Sequence, residues 1–167
     1  MKLELKNIKH TSWASEETHC YQASLYVDGK PVAIVSNDGR GGADRDYPHP
    51  KFSRYLVSKG DYRDTMRKVH EYFDGLPPSP FSYEGADGVM IHDSMRQTLE
   101  FWCADQVNDW LSARELKSKL KKEFLFQFAD KVGVFAHKTR PSRAHKATIL
   151  NDLPFDEALS IWKETAL

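Results

Sequence analysis

Leu3 and Leu5 alternate with Lys2, Glu4 and Lys6 at the start of the chain, the period-two pattern of a strand with one buried face. The alternation returns over residues 19–27 (HCYQASLYV), where Tyr21, Ala23, Leu25 and Val27 share a side. Asp28-Gly29, a strong hairpin signal, then leads into PVAIV at 31–35. Pro31 has no N–H to give to a ladder, so this strand starts at a turn or an edge. Residues 2–36 therefore predict a three-stranded antiparallel sheet.

Helical spacing takes over further on. A short helix is expected at 51–58. Asp61 is a suitable N-cap for a second one, with Tyr62, Met66, Val69 and Phe73 on one side and Gly75, Pro77 and Pro78 to stop it. LPPSPFSYEGADG, residues 76–88, reads as an internal Pro/Gly connector. The longest helix is expected from about Ser94 to Lys122, capped by Asp93 or Ser94, with Gln97 completing a capping box. Its apolar stripe is Met95, Leu99, Trp102, Cys103, Val107 and Trp110. Short strands follow at FLFQF (124–128) and VGVFAH (132–137), with a third at ATIL (147–150) beyond a basic loop. PFDEALSIWKE closes the chain as an amphipathic helix, with Pro154 in its first turn and Asp156 and Glu157 matching its dipole.

Strands and helices thus fall into separate runs, which predicts a single α+β domain over 1–167. Its parts would be an N-terminal three-stranded antiparallel sheet with helices packed on one face, a short C-terminal β-region and a final helix. A chain of this length buries about two-thirds of its unfolded surface, enough for a core without staples. MKLELKNIKH lacks a signal-peptide pattern, and no apolar run approaches about 18 residues. The expectation is a cytoplasmic protein that does not enter a membrane, with Cys20 and Cys103 as reduced thiols.

Candidate chemistry concentrates first in SNDGRGGADRDYPHP, residues 36–50. Gly39, Gly41 and Gly42 permit positive φ, so successive amides could form an anion-binding nest, with Arg40 and Arg45 as guanidinium partners. The competing reading is a sharp structural turn at a sheet edge. The stretch matches neither a P-loop nor a dinucleotide fingerprint. An enzymatic version would use Asp44, Asp46 or His49 in acid–base or metal roles on a phosphate-containing substrate. Seven histidines show no metal-ligand spacing, Cys103 falls on an apolar stripe, and there is no G-x-S-x-G elbow. No catalytic residue, metal or cofactor is assigned.

The chain carries 24 basic and 24 acidic side chains, so no whole-molecule field steers it to a polyanion. The balance hides a gradient. Residues 111–148 hold ten basic and three acidic side chains, a local net of +7. The helical lysines, including Lys117 and Lys121, are expected to solvate a helix end and relieve its dipole. HKTRPSRAHK at 137–146 has no such duty, and Lys138, Arg140, Arg143 and Lys146 are candidate contacts to an anionic partner.

LKNIKHTSWASEETHCYQASLYVDGK with SNDGRGG, and ILNDLPFDEALSIW near the other end, resemble uncharacterised small proteins encoded by bacteriophages and prophages. The resemblance covers both ends of the chain and carries over no functional residues. It implies an accessory protein in a bacterial cytoplasm that binds host proteins or nucleic acid. The favoured expectation is a non-enzymatic binding protein that contacts nucleic acid, a nucleotide or an acidic host protein surface, one version being an inhibitor of host defence. The alternative is a small hydrolase or transferase working through the 37–46 loop. A third is a homo-oligomer joined through Trp13, Tyr47 or Trp162.

Overall fold

A computed structural model describes residues 1–52, 59–86, 88–140 and 147–165, and the helix expected at 51–58 falls almost wholly outside these. The fold is α+β, with nine strands and three α-helices among the described residues. The chain forms two compact units, Met1–Val107 and Asn108–Leu167. The boundary falls within a helix, and not at the 76–88 stretch expected to be a connector.

The first unit opens with β1 (Leu3–His10), β2 (Cys20–Val27), β3 (Lys30–Asp38) and β4 (Arg45–Pro48), antiparallel neighbours in the order β1-β2-β3-β4. The sheet has four strands where three were expected. The glycine loop folds the chain back, so that Ala33 pairs with Pro48 and Ser36 with Arg45. Arg45-Asp46-Tyr47-Pro48 has no alternation to betray it, and Pro48 is tolerated because β4 is an edge strand. Asp28 and Gly29 both take positive φ, 48° and 80°, as a type I′ hairpin turn requires.

Tyr21, Ala23, Leu25 and Val27 lie buried on one face of β2. Asn37, Val35 and Ala33 pair with the first three of these from β3. α1 (Lys59–Asp74) buries Met66, Val69 and Phe73, and ends where the Gly75 N–H bonds the Glu71 carbonyl at 3.1 Å. β5 (Ser79–Glu84) and β6 (Met90–Met95) then form a hairpin whose first strand lies within the supposed connector and whose second follows it. Prolines and glycines obscure its period: Phe81 and Tyr83 stack at 5.8 Å on one face, opposite Asp93 and Ile91. Ser94 consequently belongs to a strand and caps nothing. α2 (Leu99–Leu120) begins five residues later than expected, and the Thr98 hydroxyl accepts the Phe101 N–H at 3.2 Å as its cap. Leu99, Cys103 and Val107 of α2 are buried.

The second unit contains the rest of α2, the sheet β8-β7-β9 and α3 (Phe155–Thr165), with β7 at Phe124–Phe128, β8 at Phe135–His137 and β9 at Ala147–Ile149. Its core is Leu116, Leu125, Leu150 and Ala158, with Leu120, Phe155, Leu159 and Trp162 packed around them. One side chain ties three segments together. Asn151 donates to the carbonyls of Leu120 (3.1 Å) and Glu123 (3.0 Å) at the end of α2, and accepts the Leu125 N–H (2.8 Å) at the start of β7. No described helix is long and apolar enough to cross a membrane.

Candidate functional site

The glycine loop is held from within. Asn37, buried at the end of β3, donates to the Gly42 carbonyl (2.8 Å) and the Asp44 carboxylate (2.9 Å). Its oxygen accepts the Thr18 hydroxyl and the Gly39 N–H, both at 2.8 Å. All four hydrogen-bonding positions of the amide are thereby filled. The Arg40 N–H goes to Asp38 (3.3 Å) and the Gly41 N–H to the Thr18 hydroxyl (3.3 Å), so three amides that a nest would offer an anion donate inside the protein.

The Gly39 carbonyl in turn accepts the N–H groups of Glu16 (2.9 Å), Glu17 (2.9 Å) and Thr18 (3.3 Å). With φ at +85°, and with an added Cβ colliding with the Ala14 carbonyl, position 39 needs glycine for both conformation and close approach. Gly42 has open space beside it. Arg40 is exposed, and the Arg45 guanidinium lies 3.5 Å from Asp38.

Asp44, Asp46 and His49 turn to separate partners. Asp44 accepts the Tyr21 phenol, Asp46 accepts the Tyr62 phenol, and His49 Nδ1 accepts the Lys51 N–H at 3.1 Å. Burial, with Cys103 and Asp44 adding to it, pushes the Tyr21 phenol far above its usual range. Burial likewise pushes the Cys103 thiol up to about 12, reinforced by the Asp44 charge and opposed by a hydrogen bond with Tyr21. Both groups stay protonated at neutral pH, which leaves neither as a ready nucleophile. Burial first, then Lys51, lowers the pKa of His49. Among the described residues no three His, Cys, Asp or Glu side chains gather as metal ligands would.

A second constellation lies in the Asn108–Leu167 unit. Strand alternation sends Leu125 of β7 into the core and Phe124, Phe126 and Phe128 to the opposite face. Phe135 of β8 pairs directly with Phe126, and their rings stack at 6.0 Å. Phe128 meets both, at 5.5 Å from Phe126 and 5.8 Å from Phe135. Lys131, on the turn between these strands, holds its ammonium 5.4 Å from the Phe128 ring and 5.9 Å from Phe135. Phe135 is exposed and the other two rings are half-buried. The alternation in FLFQF was the signal for this face, visible in the sequence as a strand but not as a surface.

Lys138 follows β8 immediately and is exposed. Arg140 is committed elsewhere: its guanidinium donates twice to Asp152, at 3.2 and 2.5 Å. That ion pair is about half exposed on both sides, a setting in which such pairs contribute about 1 kcal/mol or less. Arg143 and Lys146 lie outside the described residues. Trp13 and Tyr47 stand exposed, whereas Trp162 packs against the second core. Comparison of the chain with protein-family models, curated proteins and solved structures finds no match.

Proposed function

We propose that this is a non-enzymatic accessory protein that binds single-stranded nucleic acid through the outer face of the β8-β7-β9 sheet, in keeping with the phage-like character of its two ends. The observation that carries the reading is the Phe126–Phe128–Phe135 cluster with Lys131 over two of its rings. Aromatic side chains on a sheet surface stack unpaired bases, each contributing about 1–3 kcal/mol, while nearby cations neutralise the backbone. A duplex hides its base faces and gains nothing from such a platform. Lys138 extends the cationic side of the site, Arg143 and Lys146 follow it in the sequence, and Arg140 pairs with Asp152. The glycine loop serves this reading as a structural part of the first unit, and the bacterial cytoplasm is the compartment it implies.

Fluorescence anisotropy with labelled 12-mers tests it. Single strands should bind at least ten times more tightly than the matching duplex, and Phe135→Ala with Lys131→Gln should lower affinity at least tenfold. With about four phosphates contacted, log K should fall with log salt at a slope near −2.8. Equal affinity for duplex and single strand, or indifference to the Phe135 variant, refutes the proposal. Capture of an acidic host protein without nucleic acid would point to the other partner class.

A further inference from the structure

The second half of α2 carries a concave surface that the aromatic face does not use. Trp110, Ala113, Arg114, Lys117, Ser118 and Lys121 recur at spacings of three and four residues, and with Lys122 they line an open cavity of about 410 Å³. That volume lies within the range of small-ligand sites. The lining carries four cations and no carboxylate. Among the described residues none of the four is in an ion pair, although Lys119 on the same helix pairs with Glu115 at 3.6 Å. At one end, Arg114 lies 5.4 Å from the centroid of the half-buried Trp110 indole. Further along, the Lys117 ammonium rests over Phe155 at 4.7 Å.

We propose that this groove binds a nucleoside polyphosphate, with Arg114, Lys117, Lys121 and Lys122 along the phosphate chain and Trp110 against the base. Arg114 and the last residue of α2, Leu120, are six residues apart, about 9 Å along the helix axis, and Lys121 and Lys122 follow directly, so the charges form a row and not a point. A row suits a linear chain of phosphates better than a lone anion. The C-terminus of the helix opposes this, its dipole being equivalent to roughly −0.5 charge. Four cations against that half-charge leave the groove strongly positive. Relieving the dipole would need one lysine, so the surplus is what remains for a ligand to explain. Trp110 supplies the π-face that inorganic polyphosphate has no use for. The groove is separate from the aromatic platform. α2 contributes Leu116 to the core on the Leu125 side of the sheet, and the phenylalanines point the other way.

Calorimetric titration of the full chain at low salt, with ATP, AMP and tripolyphosphate as probes, decides the matter. ATP and tripolyphosphate should bind, and AMP at least tenfold more weakly than ATP. Lys117→Gln with Lys121→Gln should cost at least tenfold for both long anions; both residues are exposed, and Lys121→Gln with Lys122→Gln provides a second pair should the first disturb packing against Phe155. Trp110→Ala should weaken ATP at least fivefold and leave tripolyphosphate within twofold. Phe135→Ala should leave ATP binding unchanged, whatever it does to oligonucleotides. No ATP binding at millimolar concentration, loss of ATP binding in the Phe135 variant alone, or equal effects of Trp110→Ala on ATP and tripolyphosphate would each overturn the assignment.

Discussion

Replacing Asn37 by alanine withdraws four hydrogen bonds at once, and it tests whether the 37–46 loop is stabilised mainly by its own side chains. Three of those bonds join neutral groups and one reaches the Asp44 carboxylate. At about 1 kcal/mol for each neutral bond and about 2 for the charged one, the loss sums to roughly 5 kcal/mol. Three of the four are only part-buried, so water recovers a share, and a destabilisation of about 3 kcal/mol is expected. Against a typical total of about 5–15 kcal/mol this is large, equivalent to a melting temperature lower by about 6–12 °C. Urea and thermal unfolding followed by circular dichroism read it directly. Asn37→Asp adds a sign test. It keeps both accepted bonds, loses both donated ones and sets a second carboxylate against Asp44. Protonation restores one donor, toward Asp44, and is then favoured in the folded state, so the penalty should be smallest below about pH 4, where only the bond to the Gly42 carbonyl stays lost, and grow as pH rises through the raised folded value. An alanine variant within 1 kcal/mol of the native protein, or an aspartate variant insensitive to pH, would refute this account of the loop.

Two further outcomes follow from buried polar groups. His49 is held neutral by burial, with Lys51 adding to the effect, and its Nδ1 must stay unprotonated to accept the Lys51 N–H. Its folded pKa lies below the unfolded one, so its contribution is complete above about pH 6.5 and lost as pH falls through the folded value. His49→Gln, which keeps an acceptor, should flatten stability measured between pH 6.5 and 5; an unchanged slope would contradict the assignment. Asn151→Ala should cost about 2–3 kcal/mol by urea unfolding, since two carbonyls and one amide lose their partner together. A loss under 0.5 kcal/mol would mean that water or a rearranged turn replaces the clamp.

The parts of the fold legible in the sequence were those where pattern and turn chemistry agree. Strands β1 to β3, the Asp28-Gly29 turn and the inward set of Tyr21, Ala23, Leu25 and Val27 all belong to this class. Strand β4 escaped because an edge strand of four exposed residues needs no hydrophobic alternation; its pairing is dictated by the turn before it. The β5–β6 hairpin escaped for the opposite reason: its alternation is present, but Pro80 and the glycines outweighed it. The start of α2 was misplaced because Ser94 and Thr98 are both competent caps, and only strand pairing decides between them. The candidate surfaces were half visible. Charge counting found the basic segment. It could not show that Arg140 pairs with Asp152 while Lys117 and Lys121 line a groove, because those placements depend on partners distant in sequence or on neighbouring helical turns.

The clamp at Asn151 bears on the order in which the molecule is made. Every residue of the Met1–Val107 unit has left the ribosome before the second core has any of its four central side chains, and a domain can fold once its own sequence has emerged. The tail of α2 emerges next, with the carbonyls of Leu120 and Glu123 awaiting a donor that arrives some thirty residues later. Synthesis therefore passes through a stage in which one finished unit carries an unfinished helix ending. A nascent chain halted there would show protected amides in the first unit and freely exchanging ones beyond Asn108.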